Sequence, residues 1–334
     1  MYTVDNGVDS VPVTIFVRWM MEKFFSLCLQ GDVNLAMEYL SSVYPRTKEV
    51  AEIERLYKNR FYSENVMEEI RSEDSWICRV IEEYCAYFRA VLTKLEAPNV
   101  AELKLNHRLC TLLDGKEQMN IVETELKLKK IFHDKGYYFL GGVTKPFRGP
   151  FIWKHMEEKI FFVETPFASQ WVTVYMMSNF LLESWIGYAT FGRRHAGGWA
   201  KDGVLFCNSE LFKDLKGADF QISFLKHEAQ HIYDFEHFPW LESHELEYRA
   251  KLVELIYIQD HSILARFFHQ AKNDPNFPHP FASYRILKNL SSTLLVTDTE
   301  RDLEEWLNVD YKNVSSAARE LLEANTEELR NKNS

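Results

Sequence analysis

The sequence predicts an α+β protein that is mainly helical. Of its 334 residues, 46% are hydrophobic and 26% are charged, and the low numbers of Gly (13) and Pro (10) favour helix. Long stretches in which apolar residues recur with a helical period point the same way. One central stretch, residues 136–166, instead mixes aromatic and β-branched residues with Gly and Pro, which indicates strands and turns. The length allows two domains.

Residues 1–135 are predicted to form a helical N-terminal domain. The clearest helix is SEDSWICRVIEEYCAYFRAVLTKL, in which apolar residues spaced 4, 3, 4, 3 and 4 apart are Ile77, Ile81, Tyr84, Phe88, Val91 and Leu95. This spacing places them on one face of a helix. A second helix, in DVNLAMEYLSSVYP, is expected to stop before Pro45. The domain is predicted to be a helical bundle that binds a partner or regulates the rest of the protein, and not a catalytic unit.

Residues 136–291 are predicted to combine strands and helices. GYYFLGGVTKPFRGPFIWKHMEEKIFFVETP suggests two or three strands, and GGWAKDGVLFCNSE suggests one more. The predicted helices are a buried one over residues 169–188, one in ADFQISFLKHEAQHIYDF, and two over 243–271 and 281–291. Residues 292–334 are expected to form C-terminal helices that pack on this domain and fray at the end.

Charge and composition argue against several classes of protein. The net charge is −10 and no basic stripe is present, so neither nucleic acid nor an anionic membrane is expected as a partner. The five cysteines, without a C-x-x-C pair, are expected to be reduced thiols that fill the core. The N-terminal apolar stretch does not resemble a signal peptide, and the run WVTVYMMSNFLLESWIGYATFG is too polar for a membrane helix. The expectation is a soluble cytoplasmic protein without membrane insertion.

The stretch HEAQH, residues 227–231, has the pattern H-E-x-x-H. On a helix, His227 and His231 face the same way, so two imidazoles can bind one zinc ion. Glu228 points aside and can hold a zinc-bound water instead of the metal. Because the pattern is short, it also occurs by chance on surface helices that bind no metal. A third ligand residue is needed to distinguish a zinc site from such a chance pattern.

Four downstream residues compete as the third ligand: His237, His244, Glu245 and Glu247. His237 has the spacing of metzincins, but these also need a Met beneath the zinc, and no Met follows HEAQH. Glu247 is the stronger candidate because it begins a new helix in which the small Ala250 shares its face and allows close packing. Glu245 stays open, since the sequence does not fix the register.

These segments resemble the zinc peptidases related to CAAX prenyl proteases and bacterial heat-shock membrane proteases. That family pairs H-E-x-x-H with E-x-x-A-D, and here Glu247-Tyr248-Arg249-Ala250 follows HEAQH. HPFASYRILKNL, residues 279–290, is similar to the family's H-P-x-x-x-x-R-I-x-x-L segment, and GGWAKDGVLFCNSELF is similar to its upstream strand. Order and spacing agree over residues 195–290.

The resemblance implies a zincin-like catalytic domain over residues 136–291. One catalytic Zn²⁺ would be bound by His227, His231 and Glu247, with Glu228 as general base. His279 and Arg285 would lie near the active site as catalytic residues that support the oxyanion or the metal.

The sequence departs from the family at Lys251, where the family has an Asp that orients a zinc-bound histidine. Asp234 or Glu254 would have to replace that Asp. The family's membrane helices are also missing, so neither a membrane location nor prenylated substrates are expected.

The expected function is that of a soluble zinc metallopeptidase of the gluzincin type. Glu228 would assist the attack of zinc-bound water on a peptide bond of a restricted protein or peptide target. The substrate would bind as an extended strand beside Gly198, Trp199 and Ala200. Two alternatives stay open: an inactive zincin-fold protein that binds or regulates a partner, and a zinc hydrolase of a non-protein amide.

Overall fold

The computed structural model describes residues 13–63, 70–113, 119–258, 260–275, 277–295 and 303–332, with side chains from residue 20 onward. The fold is α+β and mainly helical, as predicted, and it contains a mixed five-stranded sheet. The chain divides into two compact units. In the described part of the chain, no helix is both long enough and apolar enough to cross a membrane.

The first unit comprises Met1–His155 and Ser178–Ala196. Its helices are α1 (Val13–Cys28), α2 (Val33–Ser42), α3 (Lys48–Tyr62), α4 (Ser75–Leu92), α5 (Pro98–Leu112), α6 (Ile121–Asp134) and α7 (Ser184–Thr190). Asp32, Asp74 and Asn120 each cap a helix, because their side chains accept hydrogen bonds from backbone amides of the first turn. The helical character predicted for the N-terminal region is confirmed over its described residues.

Helix α4 lies in the core of this unit. Five of the six residues on its predicted apolar face are buried, namely Ile77, Ile81, Tyr84, Phe88 and Val91. Leu95 is the exception, since α4 ends at Leu92 and Leu95 is 75% exposed. The helix cannot continue there because Lys94 adopts a left-handed conformation with φ of 57°. Helix α2 ends at Ser42, ahead of Pro45, as predicted.

The strands are β1 (Tyr138–Leu140), β2 (Val143–Thr144), β3 (Phe147–Arg148), β4 (Phe151–Glu164), β5 (Ser169–Glu183), β6 (Gly198–Lys201) and β7 (Val204–Asn208). The five-stranded sheet has the order β1-β4-β5-β7-β6, and β2 pairs with β3 separately. Strands β5 and β7 are parallel, whereas β6 is antiparallel to β7. Strand β6 is therefore the last strand of the sheet.

The prediction of a helix over residues 169–188 is wrong. Residues 169–183 form strand β5, and helix α7 begins only at Ser184. Along β5, Val172, Val174 and Met176 are buried, and the residues between them are more exposed. This alternation has the period of two of a strand. With 15 residues, β5 is far longer than a usual strand of about 5–6 residues, so its length alone favours a helix.

The single strand predicted in GGWAKDGVLFCNSE is a hairpin of β6 and β7. Asp202 and Gly203 form its turn, with φ of 51° and 77°. Two consecutive residues with positive φ match the right-handed twist of the paired strands, and an Asp-Gly pair adopts this conformation readily. The Asp-Gly pair in the sequence is the signal for this hairpin.

The second unit comprises Met156–Met177 and Gly197–Ser334. Its helices are α8 (Ala218–Phe220), α9 (His227–His237), α10 (Ser243–Tyr257), α11 (Ser262–Gln270), α12 (Pro278–Leu294), α13 (Leu303–Leu307) and α14 (Tyr311–Lys332). The helix predicted over 243–271 is two helices, because the backbone becomes extended at Ile258 after α10 ends at Tyr257, and α11 begins only at Ser262. The last two residues, which were predicted to fray, lie outside the described residues.

Helix α9 lies between the sheet and α10. Towards the sheet, Ala229 joins an apolar cluster with Val174, Leu205, Phe220 and Phe224. The other side of α9 faces α10. Helix α10 belongs to a second apolar cluster, which includes residues of α11, α12 and α14. Because α9 and α10 are each buried against further layers, their facing side chains are held at fixed positions.

Candidate metal centre

His227 and His231 follow a local change of helix geometry. Residues Gln221–Lys226 form a π-helical segment, and the α-helix α9 begins at His227. Such wide turns within helices are frequent at functional sites. Phe224 and Leu225 pack this segment into the core shared with the sheet, and the two histidines are directed towards α10.

Two imidazoles and one carboxylate meet between α9 and α10. The Nε2 atoms of His227 and His231 are 3.2 Å apart. Glu247 of α10 places Oε2 3.5 Å from Nε2 of His227 and Oε1 3.5 Å from Nε2 of His231. Both histidines are buried, and Ala250, one turn after Glu247, is fully buried as well. The helices therefore approach closely enough for three potential ligands to share one point.

The donor set and its spacing fit a zinc ion. Zinc binds imidazole nitrogen and carboxylate oxygen at about 2.0–2.2 Å in tetrahedral geometry, which separates two ligand atoms by roughly 3.3–3.5 Å. The separations here are 3.2 Å between the two nitrogens and 3.5 Å from each nitrogen to an oxygen of Glu247. Other divalent transition metals accept the same donors, so the residues fit zinc without selecting it.

A second carboxylate of α10 contacts His227 at Nδ1, the ring nitrogen on the side away from His231 and Glu247. Oε1 of Glu254 lies 2.8 Å from Nδ1 of His227. The other oxygen, Oε2, accepts a hydrogen bond of 2.8 Å from Nη2 of Arg266, and this guanidinium also donates to Oγ of Ser223 at 3.1 Å. Glu254 therefore occupies the place that the resemblance gave to an Asp at position 251.

Asp234, the other residue considered for that place, has different partners. It is fully buried and accepts hydrogen bonds from Arg249 and Gln230. Arg249 in turn donates to Thr326 of α14. This network joins α9, α10 and α14 and leaves the support of His227 to Glu254.

Lys251 is buried near Glu247 and Glu254 of the same helix. Burial lowers the pKa of its amine, and Glu254 and Glu247 oppose that shift. Its Nζ lies 4.3 Å from the centre of the Phe267 ring. An ammonium has no acceptor atom, so Lys251 cannot take the Nδ1 proton of a histidine as an Asp would.

The charges of the cluster shift the titration of its members. Burial works against a charged His227, but its bonds to Glu247 and Glu254 raise its pKa to about 10. Burial also works against a charged Glu247, but His279, His227 and His231 hold the pKa of that carboxyl well below its usual range. The metal-free cluster therefore holds a proton that a bound metal ion would displace.

His279 and Arg285, both of α12, lie in different surroundings. Nδ1 of His279 is 2.6 Å from Oε2 of Glu247, and its side chain is 61% exposed. Arg285 lies over the ring of Tyr248 at 4.5 Å, with Nη1 3.8 Å from Oε1 of Glu245. The structure thus brings His279 to the cluster and places Arg285, six residues further along α12, against Glu245 and Tyr248.

The other third-ligand candidates have partners of their own. Nδ1 of His237 lies 2.8 Å from the carbonyl oxygen of Tyr233. His244 packs against the ring of Phe281. Glu245 faces Arg285. Among the four candidates, Glu247 is the residue that the structure groups with His227 and His231.

Glu228 and strand β6 lie on the sheet side of α9. Glu228 is half-buried. Burial raises the pKa of the Cys207 thiol of β7 to about 12, and the nearby Glu228 carboxylate adds to that rise. Gly198 and Ala200 of β6 are directed towards the helices, since Ala200 packs with the apolar cluster beneath the sheet and a Cβ at Gly198 would overlap with the Phe224 ring.

Arg266, Ser223 and the π-helical segment are not among the residues that the sequence predicts for the site. Arg266 reaches Glu254 only because α11 packs back along α10, and no local pattern marks that contact. The predicted single helix over residues 243–271 also has no turn that would bring Arg266 back to Glu254.

Comparison with known proteins gives no relative for the chain: no protein-family model, no curated protein and no solved structure matches it.

Proposed function

We propose that this protein is a zinc-dependent metallopeptidase of the gluzincin type with a zincin-like catalytic domain. The observation that carries the proposal is the convergence of His227, His231 and Glu247, whose ligand atoms lie within 4.8 Å of one another. The spacing of these atoms supports one catalytic zinc ion. The resemblance of the flanking segments to zinc peptidases supports peptide hydrolysis as the reaction.

Glu228 is the general base of the proposed reaction. When bound, zinc supplies a Lewis acid that acidifies water and polarises the substrate carbonyl. Glu228 accepts the proton of the attacking water and later gives it to the leaving amine. It suits this task because it lies next to His227 on α9 and is only half-buried. Glu247 does not, because three imidazoles hold its carboxylate ionised.

The substrate is proposed to bind as an extended strand along β6. This strand ends the sheet and pairs with β7, whose Cys207 lies near Glu228. Backbone hydrogen bonds to residues Gly198, Trp199 and Ala200 would fix the substrate's register. Such binding favours a protein or peptide with an exposed flexible segment, which restricts the targets.

One contact favours the alternative of a zincin-fold protein without turnover. A catalytic zinc keeps one coordination position open, whereas a structural zinc has four protein ligands. Nδ1 of His279 lies 2.6 Å from Oε2 of Glu247, so a third imidazole, and a fourth potential ligand, is adjacent to the cluster. If it bound the metal, the protein would bind or regulate a partner instead of hydrolysing it. Hydrolysis of a non-protein amide would be distinguished by a substrate screen.

Metal analysis combined with two variants tests the proposal. Elemental mass spectrometry of the full chain is expected to find about one zinc per chain in the wild type and in Glu228→Gln, and a loss of zinc in His231→Ala. Cleavage of a peptide library, followed by mass spectrometry, is expected in the wild type alone. Wild-type turnover in Glu228→Gln would remove the mechanism. A folded, metal-replete wild type without zinc would remove the site.

A further inference from the structure

Glu254 is held from both sides within the second unit. Its Oε1 lies 2.8 Å from Nδ1 of His227, and its Oε2 lies 2.8 Å from Nη2 of Arg266. Arg266 is in turn fixed by its hydrogen bond of 3.1 Å to Ser223. Because Glu254 is only 3% exposed, water does not compete with these contacts, and the carboxylate has one orientation.

The spacing along α10 explains how one helix contacts both nitrogens of one ring. Glu247 and Glu254 are seven residues apart, which places them two turns apart on the same face. Glu247 approaches Nε2 of His227, while Glu254 approaches Nδ1. The ring is thus held between two carboxylates whose separation is set by the helix.

The contact with Glu254 decides which nitrogen of a neutral His227 carries the proton. An ionised carboxylate can only accept a hydrogen bond, so Nδ1 has to donate. The lone pair of Nε2 is then directed towards His231 and Glu247, which is the arrangement that a metal ligand requires.

Among the described residues, Glu254 is the only carboxylate in contact with Nδ1 of either histidine. His231 lacks a comparable support, since its Nδ1 is buried without a hydrogen-bond partner among the described residues. Asp234 is engaged by Arg249 and Gln230. Among the three potential ligands, His227 is therefore the histidine whose ring is oriented by a carboxylate, and that carboxylate is Glu254.

We propose that Glu254 is the positioning residue of the metal site, that it directs Nε2 of His227 at the ion, and that Arg266 holds Glu254 in place. This role rests on the proposed function to the extent that a metal binds at His227, His231 and Glu247. It adds a dependence of that site on α11, which supplies no ligand.

Cobalt binding to the full-length, metal-free chain tests this role. Co²⁺ occupies zinc sites and its visible absorption spectrum reports ligand geometry, and chelator competition gives the affinity. Glu254→Gln keeps the shape of the side chain and removes its charge; it is expected to weaken Co²⁺ binding about 10–100-fold and to change the spectrum. Glu254→Asp, which retains the charge, is expected to recover part of the affinity. Glu245→Gln is the matched control, because it removes an ion-paired carboxylate of the same helix that faces Arg285.

Arg266→Gln provides a second variant in case Glu254→Gln does not fold. The Arg266 side chain is 47% exposed, so its loss disturbs the core less. It is expected to weaken Co²⁺ binding, and Arg266→Lys to weaken it less. Wild-type affinity and spectrum in both Glu254→Gln and Arg266→Gln would overturn the role of Glu254 and leave the proposed function intact. A wild type that binds no Co²⁺ would overturn both. Weaker binding in the variants, in a protein that cleaves no peptide, would uphold the role of Glu254 and count against the peptidase.

Discussion

Glu228 and Glu247 are the same kind of residue beside the same two histidines, yet their surroundings differ. Glu247 lies within 3.5 Å of both Nε2 atoms and 2.6 Å from His279. Glu228 is half-buried on the sheet side of α9, near Cys207. Partners and exposure therefore separate the proposed metal ligand from the proposed proton acceptor, and the difference follows from their positions on two helices rather than from residue type.

Replacement of Glu247 is expected to affect metal binding more than replacement of Glu245. Glu247→Ala removes one of three ligand groups, so zinc affinity should fall by more than the roughly 10–100-fold typical of losing an outer partner. Glu245→Ala should leave it nearly unchanged, because Glu245 faces Arg285. Zinc competition with a fluorescent chelator measures both. The reverse order would make Glu245 the third ligand.

The cysteines are expected to differ in reactivity. Burial raises the pKa of the Cys28 and Cys207 thiols to about 12. Only about one molecule in ten thousand then carries the reactive thiolate at pH 8, and this fraction grows as the pH rises towards 12. The half-buried Cys78 and Cys110 should therefore be alkylated first in the native protein. Mass-spectrometric mapping of alkylated cysteines at pH 8 checks the order, and early modification of Cys207 would contradict it.

At the scale of residues, the sequence predicted groups that lie close together along the chain. His227 and His231 are four residues apart, so helical geometry alone places them on one face. To predict Glu247 as the third ligand, one also has to know how a second helix packs against the first, and the resemblance to zinc peptidases implies that packing. The pairing of Glu254 with Arg266 required the packing of a third helix, and no sequence pattern reports the packing between helices.

At the scale of elements, Gly198 is expected to be required for the edge strand β6. A Cβ at this position would overlap with the carbonyl oxygen of Phe206 and with the ring of Phe224, and neither can move freely. Gly198→Ala should therefore destabilise the protein by about 1–3 kcal/mol, the usual cost of overpacking. The free energy of unfolding in urea measures this change.

Gly197→Ala is the matched control for that experiment. The nearest atom to a Cβ at Gly197 belongs to the Phe212 ring at 3.9 Å, which is an ordinary contact. Its stability should stay within about 0.5 kcal/mol of the wild type. Equal stability of the two variants would show that Gly198 does not approach Phe206 and Phe224 as closely as described.

The predicted and observed elements differ where the period of the apolar residues indicates one type of element and the length of the apolar run indicates the other. Short amphipathic stretches such as α4 were predicted correctly because their period is unambiguous. Strand β5 has 15 residues, so its length favoured a helix although its buried residues alternate. The π-helical segment before His227 has no sequence signature, because its wide turn depends on the packing of Phe220 and Phe224 in the core.

At the scale of the whole molecule, every residue of the candidate metal centre belongs to the second compact unit. The ligands come from two helices, α9 and α10, and the support of His227 involves a third, α11. The first unit has its own core and contributes none of these residues. A role of the first unit in binding a partner or in regulation stays a prediction.

Removal of the metal is expected to destabilise the second unit selectively. A ligand that binds only the folded state adds RT ln(1 + [L]/Kd), about 2.7 kcal/mol when the free metal is at 100 times its Kd. Because the ligands join α9 to α10, this gain applies to the unit that contains both helices. Scanning calorimetry of the full chain should therefore show one transition that shifts to lower temperature with a chelator, while another does not move. His231→Ala, which lacks a ligand, should be insensitive to the chelator. If a zinc-loaded wild type kept all its transitions in place after chelation, the ion would not link α9 to α10, and it would have to bind elsewhere on the protein.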